Sequence, residues 1–197
     1  MQEQEEKIVK IADTTANPAP LGLAAFGLTT ILLNLHNAGL YSMDTMIFAM
    51  GIFYGGIAQV IAGIMEFKKK NTFGFTAFIS YGFFWISLVG LMVMPKLGWG
   101  DAPSKASLVS FLGVWCLFTM FMLIGTFKLN RALQVVFTLL TILFILLICG
   151  NVTGDETIHK IAGFEGIVCG LSALYASMAQ LINELYGKTI MPIGAKK

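Results

Sequence analysis

The chain has 197 residues, 56% of them hydrophobic and only 12% charged, against about 25% charged for an ordinary soluble domain. At a mean hydropathy of +0.77 too few polar side chains remain to coat a globule, so a soluble fold is excluded and an integral membrane protein is expected. The net charge of +2 comes from scattered Lys and Arg that form no phosphate-binding face, which excludes nucleic acid as a partner.

Residues 1–16 are acidic and polar and read either as a cytoplasmic tail or as a short interfacial helix using Ile8, Val9 and Ile11. No A-x-A-like cleavage site follows, so the first apolar run is not a removable signal peptide. Next comes Asn17-Pro18-Ala19-Pro20-Leu21-Gly22-Leu23, which reads as a helix start. Asn17 can cap exposed N–H groups, and proline in the first turn loses no hydrogen bond. Such an end carries partial positive charge and so suits a carboxylate; alternatively, the string only starts the helix.

A transmembrane helix needs about 20 apolar residues, and six runs qualify: 21–40, 44–66, 73–94, 106–127, 132–150 and 158–185. The expected fold is therefore an all-α six-helix transmembrane bundle spanning residues 17–187, with 188–197 as a C-terminal tail. With six spans, the side holding both termini carries Lys7, Lys10, Lys68, Lys69, Lys70, Lys128, Arg131, Lys188, Lys196 and Lys197, while the other holds Lys96, Lys105 and Lys160. Ten basic residues against three predict cytoplasmic termini.

The spans leave no room for an ATPase or receptor module, and neither G-x-x-x-x-G-K-[ST] nor G-x-G-x-x-G occurs. Cys116, Cys149 and Cys169 lie inside apolar runs and read as packing or lipid-facing residues. His36 and His159 fall near outer span ends and read as interfacial residues rather than metal ligands. No cofactor, metal or enzymatic constellation is expected, which leaves a channel or small-solute transporter.

Inside the spans, Glu66 and Glu184 read as helix-end residues. Glu165, about two turns into the last span, is either a functional carboxylate or a structural tie to a neighbouring helix. No Lys or Arg lies mid-span, so an anion would pass on neutral donors and helix ends. Thr29, Thr30, Asn34, Gln59, Ser80, Tyr81, Thr138, Thr141 and Ser172 are the neutral candidates, for helix contacts or for a path. Gly51, Gly55, Gly56 and Gly63, and later Gly163, Gly166 and Gly170, fall at helical spacings that permit close packing.

The single Asn17-Pro18-Ala19, at the membrane edge and unrepeated, does not make an aquaporin-like pair. Together with Leu32-Leu33-Asn34-Leu35-His36-Asn37, Tyr54-Gly55-Gly56-Ile57-Ala58-Gln59, Ser80-Tyr81-Gly82-Phe83-Phe84-Trp85 and the stretch from Asn183-Glu184 to Pro192-Ile193-Gly194, the first string closely resembles the acetate uptake transporter family. The resemblance implies a pore in each six-helix protomer, a homohexamer, and transport of acetate and in some members succinate, proton-coupled or channel-like. It also implies a hydrophobic constriction formed by Phe26, Tyr81 and Leu140, the last on a weaker alignment that leaves Leu139 open. Some bacterial members carry an aromatic residue where this chain has Glu165.

These readings give an acetate path through a multi-pass protein of the cell inner (cytoplasmic) membrane, with Asn17, Thr30, Asn34, Gln59 and Glu165 as polar candidates. Two other functions remain open at this level: a channel for an uncharged solute such as urea or a short amide, and a non-transporting acetate sensor working through a terminal segment.

Overall fold

A computed structural model describes residues 15–194; the expected tail or interfacial helix of residues 1–16 falls almost wholly outside the described residues. Six membrane-length helices follow one another: α1 (Ala19–Asn37), α2 (Thr45–Lys68), α3 (Thr72–Val93), α4 (Lys105–Thr126), α5 (Arg131–Thr153) and α6 (Glu156–Tyr186). Their ends lie within about three residues of the apolar runs, the ordinary uncertainty at a helix terminus. A short 3₁₀ turn, Pro95–Leu97, follows α3.

Polar residues between the runs or at their first position set where each helix begins. Asp44, Asn71, Ser104, Asn130 and Asp155 each stand at an N-cap and accept a hydrogen bond from a backbone N–H in the first turn of α2 to α6, which satisfies a donor that hydrocarbon would leave unpaired. At α1 the work is shared: Asn17 Oδ1 accepts from Ala19 N at 3.1 Å, and Pro20 occupies the first turn.

Short connections make successive helices antiparallel. α1 packs most extensively on α6, α6 on α5, α5 on α4, and α2 on both α1 and α3, with a slight α3–α4 contact. The first and last helices thus close a ring. Glycines let them meet: a Cβ added at Gly27 would lie 2.7 Å from the carbonyl oxygen of Gly170, and one at Gly166 would lie 2.2 Å from Asn34 Cγ. In lipid, where apolar burial alone does not draw helices together, such backbone contact is the main attraction.

The second span is not a uniform α-helix. Met50–Ala58 forms a π-helix, a rare form that adds a residue per turn and tends to occur at functional sites. Gly55 within it lies against the Thr29 side chain, and the Thr29 hydroxyl donates to Met50 O at 3.5 Å. The segment ends at Gln59, where α-helical geometry resumes.

Aromatic and branched side chains fill the inside of the ring, among them Phe26, Phe78, Tyr81, Phe84, Trp85, Phe137, Leu140 and Phe144. The outer faces are also apolar: Phe53, Phe121, Ile124, Phe164 and Val168 are exposed. An inside and an outside that are both apolar mark a protein whose surroundings are lipid, and the chain is a multi-pass membrane protein.

Residues 188–194 fold back along the bundle. Asn183 Oδ1 accepts from Ile190 N and Met191 N at 2.7 and 2.9 Å, Tyr175 donates its hydroxyl to Pro192 O at 2.9 Å, and the carbonyls of Gly194 and Ile193 accept from Arg131 N and Ala132 N, each at 3.0 Å. The C-terminal segment thereby supplies acceptors to the start of α5.

Candidate functional site: two cavities and a shared neck

Two cavities lie along the inside of the ring. The terminal cavity, about 350 Å³, sits at the end of the bundle where α1, α3 and α5 begin, and is lined by Ala19, Gln59, Glu66, Asn71, Asn130 and Gln180 among others. The distal cavity, about 200 Å³, lies toward the opposite end, bounded by Asn34, Asn37, Trp85, Asn151 and His159. Phe26 and Leu140 line both cavities. They stand where the two cavities adjoin, a place called the neck below.

Tyr81 lines the terminal side of that neck, its ring centroid 5.9 Å from that of Phe26 and 6.0 Å from that of Phe137. Its hydroxyl is 2.8 Å from Thr119 Oγ1. Thr119 donates its own proton to Trp115 O at 2.8 Å, so Tyr81 is the donor to Thr119, and the bond fixes the ring across α3 and α4. The three constriction residues expected from the resemblance therefore lie together, from three different helices. Leu139 lines neither cavity.

The polar candidates divide. Gln59 lines the terminal cavity and its Oε1 has no partner among the described residues. Thr30 and Asn34 line the distal cavity, but both are engaged locally: Thr30 donates to Phe26 O at 2.7 Å, and Asn34 donates to Thr30 O at 2.9 Å while accepting from Asn37 Nδ2 at 3.0 Å. Asn17 is exposed and lines neither cavity. Glu165 also lines neither; it is half-buried, and neither carboxylate oxygen finds a donor among the described residues.

Several lining residues do not stand out in the sequence. Glu66, which reads there as a helix-end residue, is only 2% exposed and lines the terminal cavity. Trp85 borders the distal cavity with an indole N–H that lacks a partner among the described residues. His159 borders the same cavity. Among the described residues no Lys or Arg lines either cavity.

Two cavities that share Phe26 and Leu140 inside a six-helix membrane unit, both edged with amides, offer space suited to a small solute with a polar head and an apolar body. A family model matches residues 4–192, described as the GPR1/FUN34/yaaH family. The chain belongs to that family. The family likeness of the five sequence strings is thereby borne out.

Relatives agree over most of the chain. It is 57% identical over 179 residues to the succinate-acetate/proton symporter SatP of Escherichia coli (strain K12), covering 91% of this chain and 95% of that protein. It is 33% identical over 195 residues to acetate permease A of Emericella nidulans, covering 90% of this chain and 65% of the relative. The solved structure of the bacterial acetate channel SatP superposes with a TM-score of 0.90 at 56% identity, over 92% of this chain and 100% of that one. These relatives are transporters and channels rather than enzymes.

Proposed function

We propose that this chain carries acetate, and with it succinate and other small carboxylates, through the terminal cavity, the Phe26–Leu140 neck and the distal cavity. One observation carries the reading: Phe26 and Leu140 border both cavities in a chain that is 57% identical to a succinate-acetate/proton symporter. Acetate pairs a carboxylate with a methyl group. The amides and the Trp85 N–H suit its head, and the neck suits its methyl while excluding water and hydrated ions.

Phe26, Tyr81 and Leu140 set the constriction, Gln59, Thr30 and Asn34 act along the two cavities, and Asn17 acts through the start of α1. The transport unit is residues 17–187, with both termini on the cytoplasmic side of the cell inner membrane, where ten of the 13 basic residues gather. Apolar outer faces such as that of Val114, Leu117 and Phe121 on α4 suit lipid and subunit contact, and assembly is as a homohexamer.

Uptake of radiolabelled acetate, succinate and urea into vesicles of the purified protein tests the assignment. Acetate entry above that of protein-free vesicles, without urea entry, is the expected result. Urea entry without acetate entry overturns it.

A further inference from the structure

The terminal cavity contains a carboxylate that carboxylate transport by itself does not call for. Glu66 is 2% exposed and lines the same cavity as Phe26 and Leu140, where a negative charge opposes an incoming anion. The structure nevertheless holds it firmly. Asn71 Nδ2 donates to Glu66 Oε2 at 2.8 Å, Asn71 N donates to Glu66 O at 3.1 Å, and Asn71 Oδ1 accepts from Gly74 N at 3.1 Å as the cap of α3. A Cβ at Gly74 would come within 2.9 Å of Glu66 Cδ. The cap of one helix, the end of another and a glycine between them thus make a seat for one carboxylate.

That seat leaves Glu66 Oε1 without a partner among the described residues. Two turns along the same face of α2, Gln59 lines the cavity with its Oε1 likewise unpartnered. Both vacant positions are acceptors, and a bare carboxylate has no hydrogen to offer them. A carboxylic acid does. Two carboxyl groups in one poorly hydrated site repel when both are ionised and attract when they share one proton.

Among the charged surroundings, Lys69 offsets part of this repulsion. On its own helix Glu66 is followed by Lys68, and then by Lys69 and Lys70; Lys69, whose charge acts on Glu66, donates to Thr15 O. The helices packed on α2 contribute His36 near the far end of α1 and Tyr81 on α3 as titratable groups. Arg131, at the start of α5, is turned to Gln134 Oε1 at 3.0 Å.

We propose that Glu66 makes the terminal cavity admit a carboxylate only together with a proton, held between the substrate carboxyl and Glu66, so that the charge entering the neck is neutralised. Glu66 is the specificity-determining residue for the protonated form, and Asn71 is its positioning residue. No bond other than the shared O–H is made or broken, and the proton leaves with the carboxylate. The proposal rests on the transport reading above.

Acetate and proton entry are measured together in vesicles of the purified full-length protein, across pH and under a potassium–valinomycin voltage. For the wild type, acetate entry is expected to fall about tenfold per pH unit above the substrate's own titration, following its protonated fraction, and to ignore the voltage. In Glu66→Gln, which keeps the acceptor for Asn71, the pH dependence is expected to flatten and acetate entry to follow the voltage. Wild-type entry that follows the voltage overturns the proposal without any variant. A Glu66→Gln protein that enters vesicles as a folded oligomer and keeps the wild-type pH profile and proton ratio also overturns it. Both results leave acetate transport standing, whereas absence of wild-type acetate entry overturns the transport reading and this one with it.

Discussion

Phe26 on α1 and Leu140 on α5 each border both cavities, so two side chains far apart in sequence bound the place where the cavities adjoin. The amides lie in the wider spaces to either side. On the proposed path, discrimination by size belongs to the neck and recognition of the head group to the cavities.

Shortening the neck residues separates these two roles. Phe26→Ala is expected to raise succinate entry relative to acetate about tenfold, equivalent to about 1.4 kcal/mol in the barrier. Removal of a buried ring should also lower stability by about 3 kcal/mol. Competitive uptake of the two labelled acids and thermal unfolding in detergent report the two effects separately. An unchanged succinate-to-acetate ratio would contradict the role of the ring.

The Tyr81–Thr119 bond predicts an asymmetry. Tyr81→Phe leaves Thr119 still bonded to Trp115 O, so the loss should be about 1 kcal/mol or less. Thr119→Val strands a buried phenol hydroxyl and should cost about 1–3 kcal/mol. Thermal unfolding of the two variants in the same detergent ranks them, and the reverse order would show that Tyr81 has another partner.

Close packing of α1 on α6 is tested at a glycine. Gly166→Ala places a methyl 2.2 Å from Asn34 Cγ and must displace a side chain bonded on two sides, at a cost of about 1–3 kcal/mol. In contrast, Gly113→Ala on α4 meets nothing within 4 Å and gains helix propensity of up to about 1 kcal/mol. Equal melting temperatures for the two would contradict the α1–α6 contact.

In the distal cavity, Trp85 offers an unpartnered indole N–H. A donor to a carboxylate contributes about 1.5 kcal/mol or more, so Trp85→Phe should raise the KM for acetate about tenfold or more with little change in maximal rate. An unchanged KM would remove Trp85 from the path.

Much of this was legible in the residues themselves. Runs such as 73–94 and 106–127 declare membrane helices because hydrocarbon tolerates little else, and the Asx and Ser residues between runs became caps. Close-packing glycines were legible by their spacing. The neck needed the family likeness, because one Phe among 16 and one Leu among many carry no local sign of lining a path. Glu66 was read by its place at a helix end, whereas its burial depends on Asn71 and Gly74 beyond a turn. The π-helix of Met50–Ala58 and the return of residues 188–194 onto α5 likewise arise from tertiary contacts that no single window of sequence displays.

On the proposed path, solute passes between Phe26 and Leu140. Acetate uptake by a Leu140→Trp protein, verified as folded by its melting temperature and reconstituted beside the wild type, tests it most directly. Entry is expected to fall to that of protein-free vesicles, because an indole fills the space between the cavities. Wild-type entry through a folded Leu140→Trp protein would contradict it.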